Sequence, residues 1–124
     1  MVKYDLQDRL IDFSVNLINA LDHLPDTIIG NHLKGQLTRS GTSPALNYAE
    51  ACDAESRKDF IHKIKIVLKE LRETFVGLTI IKRLRLLDLN QLNFLLKECD
   101  ELIAILTRSH ATAKSNLEKT RLKR

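Results

Sequence analysis

The stretch Ser56–Leu87, SRKDFIHKIKIVLKELRETFVGLTIIKRLRLL, decides the fold. Phe60, Ile64, Val67, Leu71, Thr74, Leu78 and Ile81 follow one another in steps of four and three, and Ile61, Leu68 and Phe75 widen the same stripe. That spacing marks one face of an α-helix; a half-buried strand would alternate with a period of two. Ser56-x-x-Asp59 opens the run as an imperfect capping box, with Asp where Glu is usual. The spacing predicts a helix over about 57–87. Ile66, Gly77, Ile80 and Leu84 form a second stripe, shared with Glu70 and Glu73. A helix apolar on more than one side is buried on more than one side, so this face predicts packing between subunits.

Outward from this stretch the helical period persists. Leu6, Leu10, Phe13, Leu17, Ala20 and Leu24 make one stripe and stop at Pro25, which disfavours the α region at the residue before it. This predicts a first helix over 5–24. In the second segment Ile29, Leu33, Gln36 or Leu37, Ser40, Pro44, Asn47 and Ala51 share a face that turns from apolar to small and polar. Small side chains let a neighbouring backbone come close. Pro44 removes one backbone hydrogen bond, so this reads as one kinked helix over 27–52, or as a new helix with Pro44 in its first turn. Asp88 and Asn90 mark a turn, and Leu92, Leu95, Cys99, Leu102 and Leu106 form the fourth stripe. After Arg108 the apolar face is lost. The prediction is all-α: an antiparallel up-and-down four-helix bundle over 1–108, then a basic tail over 109–124 that is frayed or disordered.

Composition agrees. The 124 residues are 44% hydrophobic and 29% charged, enough for one domain with its own core. With 4 Gly and 2 Pro the chain lacks the turn signals of an all-β sandwich. No stretch approaches the ~20 apolar residues that span a bilayer. With Asp5, Asp8 and Asp12 near the start, no signal peptide is expected there. Cys52 and Cys99 show neither a CxxC nor a disulfide framework, as expected of reduced thiols in a cytoplasmic protein.

The catalytic inventory is thin. His23, His32, His62 and His110 include no HxxxH pair, and Asp59-x-x-His62 is half of a di-iron motif whose other half is missing. There is no phosphate-binding Gly-rich loop and no GxSxG. Glu70 and Glu73 lie one turn apart as paired catalytic carboxylates can, but such a pair more commonly bonds a neighbouring cation. The expectation is a protein that is not an enzyme, with no catalytic residue, no cofactor and no metal.

One positive signal remains. Residues 57–85 carry 9 basic and 3 acidic side chains, whereas residues 1–56 carry 4 and 8. Lys58, His62, Lys65, Lys69, Arg72, Val76, Thr79 and Arg83 form a stripe about 200° round the helix from the core stripe. A solvated face usually mixes signs, because like charges at i,i+4 repel by a few tenths of a kcal/mol. Phosphates would relieve that repulsion. Lys58, Lys65, Lys69, Arg72 and Arg83 are the candidate nucleic-acid contacts, aided by Lys114, Lys119, Arg121, Lys123 and Arg124 of the tail. The near absence of exposed aromatics argues against sequence-specific reading of single strands. The other reading of this stripe is a merely soluble face.

The run QLTRSGTSPALNYAEA, residues 36–51, resembles the signature of a bacterial four-helix-bundle family that includes proteins encoded by intervening sequences in large-subunit ribosomal RNA genes. Against its pattern Q-x-R-R-A-A-x-S-I-P-x-N-I-A-E-G, Gln36, Arg39, Ser43, Asn47, Ala49 and Glu50 match. Thr38, Ser40–Gly41 and Ala51 depart from it. Ser56–Phe60 and Lys69–Thr74 resemble the family's second block, and the likeness covers about residues 4–108. The resemblance implies a small bundle that assembles into rings, commonly pentamers, without known enzymatic activity. A relative in fold, the accessory protein of diversity-generating retroelements, is a basic pentamer that binds nucleic acid and a reverse transcriptase. Arg39, Ser43, Asn47, Glu50, Glu70 and Glu73 are then expected to be structural, with Asn47 buried and Arg39 in a buried pair with a carboxylate of the third helix. The expected partners are other copies of the chain and either RNA or DNA, with no membrane. The alternative is an interaction scaffold whose ring presents a protein-binding surface.

Overall fold

The computed structural model describes residues 5–123 and holds four helices: α1 (Leu6–Leu21), α2 (Ile28–Cys52), α3 (Arg57–Leu84) and α4 (Leu89–Leu122). No strand occurs among the described residues. Each helix packs on its neighbours in sequence, and α4 closes the square on α1. The cross-links run antiparallel. Gln7 Nε2 donates to the Ala45 carbonyl (2.9 Å) and Ser14 Oγ to that of Gly41 (2.8 Å), while Cys99 meets Leu71 and Arg57 meets Asn116. This is the expected up-and-down four-helix bundle.

Local chemistry sets the helix starts. Asp5, Thr27, Ser56 and Asp88 each accept a hydrogen bond from the backbone N–H three residues on, at 2.8–3.1 Å. Such N-caps are worth about 1 kcal/mol each. The ends differ slightly from the periodicity. α1 stops at Leu21 rather than Leu24, and α3 stops at Leu84 rather than Leu87. At the second break Arg85 turns left-handed (φ 57°, ψ 42°). The Leu86 N–H bonds the Ile81 carbonyl (3.2 Å) and the Arg85 N–H that of Lys82 (3.1 Å). These two bonds satisfy carbonyls the helix end would orphan. Leu86 and Leu87 keep their apolar contacts from the turn, half-buried against the core, so the stripe alone overruns the helix.

The core is one cluster drawn from all four helices, with Leu10, Phe13, Leu37, Ile64, Leu71, Leu78, Leu95 and Leu102 among its fully buried members. α2 is the close-packing helix, and it continues through Pro44. At Gly41 a Cβ would collide with Leu17 of α1, and at Gly77 of α3 a Cβ would lie 2.7 Å from Leu37 Cδ2 of α2. Between α2 and α3 the buried Thr74 hydroxyl meets that of Ser40 at 2.9 Å and bonds the Glu70 carbonyl at 2.9 Å. Both hydroxyls are satisfied, so the small polar face of α2 closes without an unpaired group.

Part of the second stripe of α3 is used inside the subunit: Gly77 seats Leu37, and Glu70 and Glu73 turn to Arg39 of α2, leaving Ile80 and Leu84 exposed. One expectation is corrected. The tail over 109–124 is not unstructured as far as it is described. α4 is helical to Leu122, and Arg57 Nη1 ties its last turns to α3 through the Asn116 carbonyl (3.1 Å) and Thr120 Oγ1 (2.8 Å). α3 is 28 residues long, so its antiparallel partner must reach this far to lie beside its first turns. Arg124 lies outside the described residues. No helix among them is long and apolar enough to cross a membrane.

Two measurements check this packing. Gly35 is exposed on α2, and a methyl group added there would meet nothing within 4 Å, so Gly35→Ala should raise stability by about 0.5–1 kcal/mol. Gly41→Ala, which must displace the fully buried Leu17, should lower it by about 1–3 kcal/mol. Equal melting shifts for the two would contradict the close α1–α2 approach. The Cys99 thiol is buried, donates to the Leu71 carbonyl (3.3 Å), and is pushed up to about 12 by that burial, whereas Cys52 is exposed. A thiol reagent should therefore modify one cysteine in the native protein and two after denaturation.

Candidate nucleic-acid interface

The outer face of α3 is built by exclusion. Its core stripe is turned inward, one flank is covered by α2 and the other by α4, and most of the residues left outside are basic. Lys58, His62, Lys65, Lys69, Arg72 and Arg83 are all exposed, Val76 is 58% exposed, and Thr79 is half-buried. From Lys58 to Arg83 the row spans 25 residues, about 37 Å at the α-helical rise. None of Lys58, Lys65, Lys69, Arg72 and Arg83 forms an ion pair among the described residues.

Asp59 stays exposed in the first turn of α3, and the other two acids of that helix are engaged toward α2. Glu70 and Glu73, two of the three acids of α3, are held by Arg39: Nη1 to Glu70 Oε2 at 2.9 Å, and Nη2 to both oxygens of Glu73 at 2.7 Å. Gln36 Nε2 adds a bond to Glu73 (3.1 Å). The Arg39 bonds hold the Glu73 carboxyl below its ordinary range, and the bonds it donates to Glu73 and then to Glu70 raise the Arg39 guanidinium. The expected pair is therefore present within one subunit, but it is not buried: the Arg39 side chain is 52% exposed. Water screens it, so the loss expected for a buried pair does not apply.

The other motif residues are placed as follows. Asn47 is half-buried rather than buried, and its amide stays within its own helix, donating to the Ser43 carbonyl (3.0 Å) and Ser43 Oγ (2.8 Å). Glu50 pairs with Lys63 of α3 at 3.0 Å. On the opposite side Arg9 clamps Glu98 and Glu101, each at 2.7 Å, and the Glu98 bond raises its guanidinium further. Among the described residues no three His, Cys, Asp or Glu side chains converge as a metal site would need.

The helical tail changes the extent of the basic face. Lys58 shares a hollow of about 330 Å³ with Leu117, Thr120 and Arg121 of α4. Arg121 reaches only Glu118, at 3.8 Å. Lys114 lies seven residues before Arg121 and so on the same face of α4. The row of α3 thus continues onto α4, and the spacing of seven was the sequence signal for it. Lys119 and Lys123 fall on a different side of that helix.

One turn further along α3 on this face, His62, Lys65, Ile66, Lys69 and Arg72 line an open trough of about 450 Å³. Cations without counterions along a straight, rigid support can attract a polyanion whose charges are likewise spaced along a line.

A family model described as "23S rRNA-intervening sequence protein" matches residues 3–108. A crystal structure at 1.70 Å, of a protein with unknown function from the S23 ribosomal protein family of Bacteroides thetaiotaomicron, is similar over 86% of this chain and 98% of its own, at 29% identity and a TM-score of 0.78. No curated protein matches.

The Arg39 clamp has a pH signature. A carboxyl held low in the fold adds stability above its ordinary value of 4.5, and that stability is lost as pH falls through the lower, folded value. Arg39→Met should melt below wild type at neutral pH, and the gap should close on acidification through the carboxylate range. A gap independent of pH would show that Arg39 acts by packing rather than charge.

Proposed function

The chain belongs to the 23S rRNA-intervening sequence protein family, and from that premise we propose that it is a non-enzymatic, oligomeric helical bundle that binds RNA or DNA backbones without sequence specificity. The observation that carries this reading is the row Lys58, Lys65, Lys69, Arg72 and Arg83, five exposed cations without an ion pair among the described residues, on a helix two of whose three acids are taken by Arg39. A face kept free of counter-charge repels itself, and a phosphate backbone offsets that repulsion by releasing its condensed counterions. Both family descriptions name ribosomal components, which makes RNA the first polyanion to offer.

Assembly belongs to the proposal. One row is short, and a ring of copies, pentameric as the family resemblance implies, would multiply weak phosphate contacts through high effective concentration. A ring needs two different patches per subunit to meet. The exposed Ile80 and Leu84 at the end of α3 and the exposed Leu46 on the motif helix α2 are available for this.

A scaffold reading also has an observation in its favour. Val76, Ile80 and Leu84 are spaced by four and stand 58%, 41% and 50% exposed, a row that suits a protein partner better than a phosphate. Salt separates the two, because phosphate contacts weaken steeply with ionic strength and apolar ones do not.

Filter binding to ribosomal RNA and to unrelated duplexes, repeated across salt concentrations, tests the proposal. Affinity should fall with salt by about 0.9 log units per log unit for each phosphate neutralised on duplex DNA. Lys65→Glu with Lys69→Glu should weaken binding to all sequences alike and flatten that slope, with melting and assembly unchanged. Absence of binding at low salt, or an unaltered slope in the double variant, would leave the scaffold reading. A monomer by light scattering at micromolar concentration would remove the oligomer from both.

A further inference from the structure

The trough on α3 is not what a pure backbone reader needs. Its volume, about 450 Å³, lies within the range of small-molecule sites, and it is open to solvent along one helix face. Ile66, half-buried, forms an apolar floor. The methylene stems of Lys65 and Lys69 extend that floor while their ammonium groups stay in water. His62 and Arg72 stand at its two ends, ten residues or about 15 Å apart. Each offers a flat π-surface. A perfect duplex hides its bases and would set charged phosphates over Ile66, leaving the apolar floor without a partner.

Resting on the phosphate-binding reading above, we propose that this trough receives unpaired bases of a single-stranded or locally unpaired nucleic acid. Ile66 and the lysine stems would lie under the bases, His62 and Arg72 would stack at the ends, and Lys65 and Lys69 would meet the flanking phosphates. Fifteen ångströms accommodates a short run of bases at their stacking distance of about 3.4 Å. Recognition by apolar contact and stacking is tolerant of sequence, because every base has a π-face. Arg guanidinium planes serve this purpose where aromatic side chains are few. The site therefore reads the unpaired state of a strand and not its sequence, in accord with the scarcity of exposed aromatics. Glu73, four residues from Lys69, is paired with Arg39 of α2, which reduces its repulsion of a strand.

The test compares a mixed-sequence single strand, the same strand with abasic sites, and its full duplex, by fluorescence anisotropy across salt concentrations. The strand with bases should bind about 5- to 100-fold more tightly than the abasic strand, the range a stacked base contributes. Both carry the same phosphates, and the protein is untouched, so folding does not enter. Ile66→Thr should erase that advantage, and Arg72→Lys, which keeps the charge and loses the plane, should reduce it; neither should change the salt slope. Equal affinity for the base-containing and abasic strands, with a shared slope, would overturn this site while leaving backbone binding in place. An advantage that survives both variants would overturn its location. No salt-dependent binding to any of the three would overturn the phosphate reading and this inference with it.

Discussion

Arg39 is the side chain on which the character of the outer surface depends. It sits on α2 and holds Glu70 and Glu73 of α3 at 2.7–2.9 Å, so two of the three acids on the most basic helix face the neighbouring helix and not the solvent row. The interaction is an exposed ion-pair network, and such networks contribute little to stability. Its larger effect is electrostatic. With these acids paired, Lys65, Lys69 and Arg72 keep their charges without an ion pair along one edge of the molecule. Without Arg39, two unpaired carboxylates would stand beside that edge and cancel much of its charge.

That clamp in turn requires α2 to lie close to α3, and small residues make this possible. Gly77 leaves room for Leu37, and the Ser40 and Thr74 hydroxyls meet where larger side chains would hold the helices apart. On its other side α2 reaches α1 through Gly41 and the Ser14 bond to its carbonyl. The polarity of α2 therefore has a structural cause. Its small face is an adhesive surface whose polar groups are all paired, and buried groups of this kind would cost about 1–3 kcal/mol each if left unmade.

The length of α3 has a similar reach. Because it runs 28 residues, its first turns extend to where only the end of α4 can cover them, and this draws the basic C-terminal segment into a helix beside Lys58. The proposed nucleic-acid face thus spans two helices. The trough with its apolar floor lies next to the Lys58 hollow, and toward Arg83 the face carries the exposed Val76.

Periodicity alone determined the four helices, their order and most of the core, because burying one face of each helix demands a 3.6-residue repeat that any folded version of the chain must respect. Ser56 and Asp59 announced the start of α3 before any contact was known, since an N-cap is satisfied within three residues. The basic row was legible for the same reason: its members share a face whatever surrounds them. Only the tertiary structure decided what lay opposite each face. The second stripe of α3 is divided: Gly77 and the two glutamates are spent on α2, while Ile80 and Leu84 stay exposed. Leu86 and Leu87 continued the stripe, yet they pack from a turn. The segment 109–122 had no apolar face of its own, yet it is helical because α3 lies beside it. The contacts of Gly77, Arg39 and Arg57 pair residues some 30 to 60 positions apart, and a local pattern records a residue's own face without recording the one that will meet it.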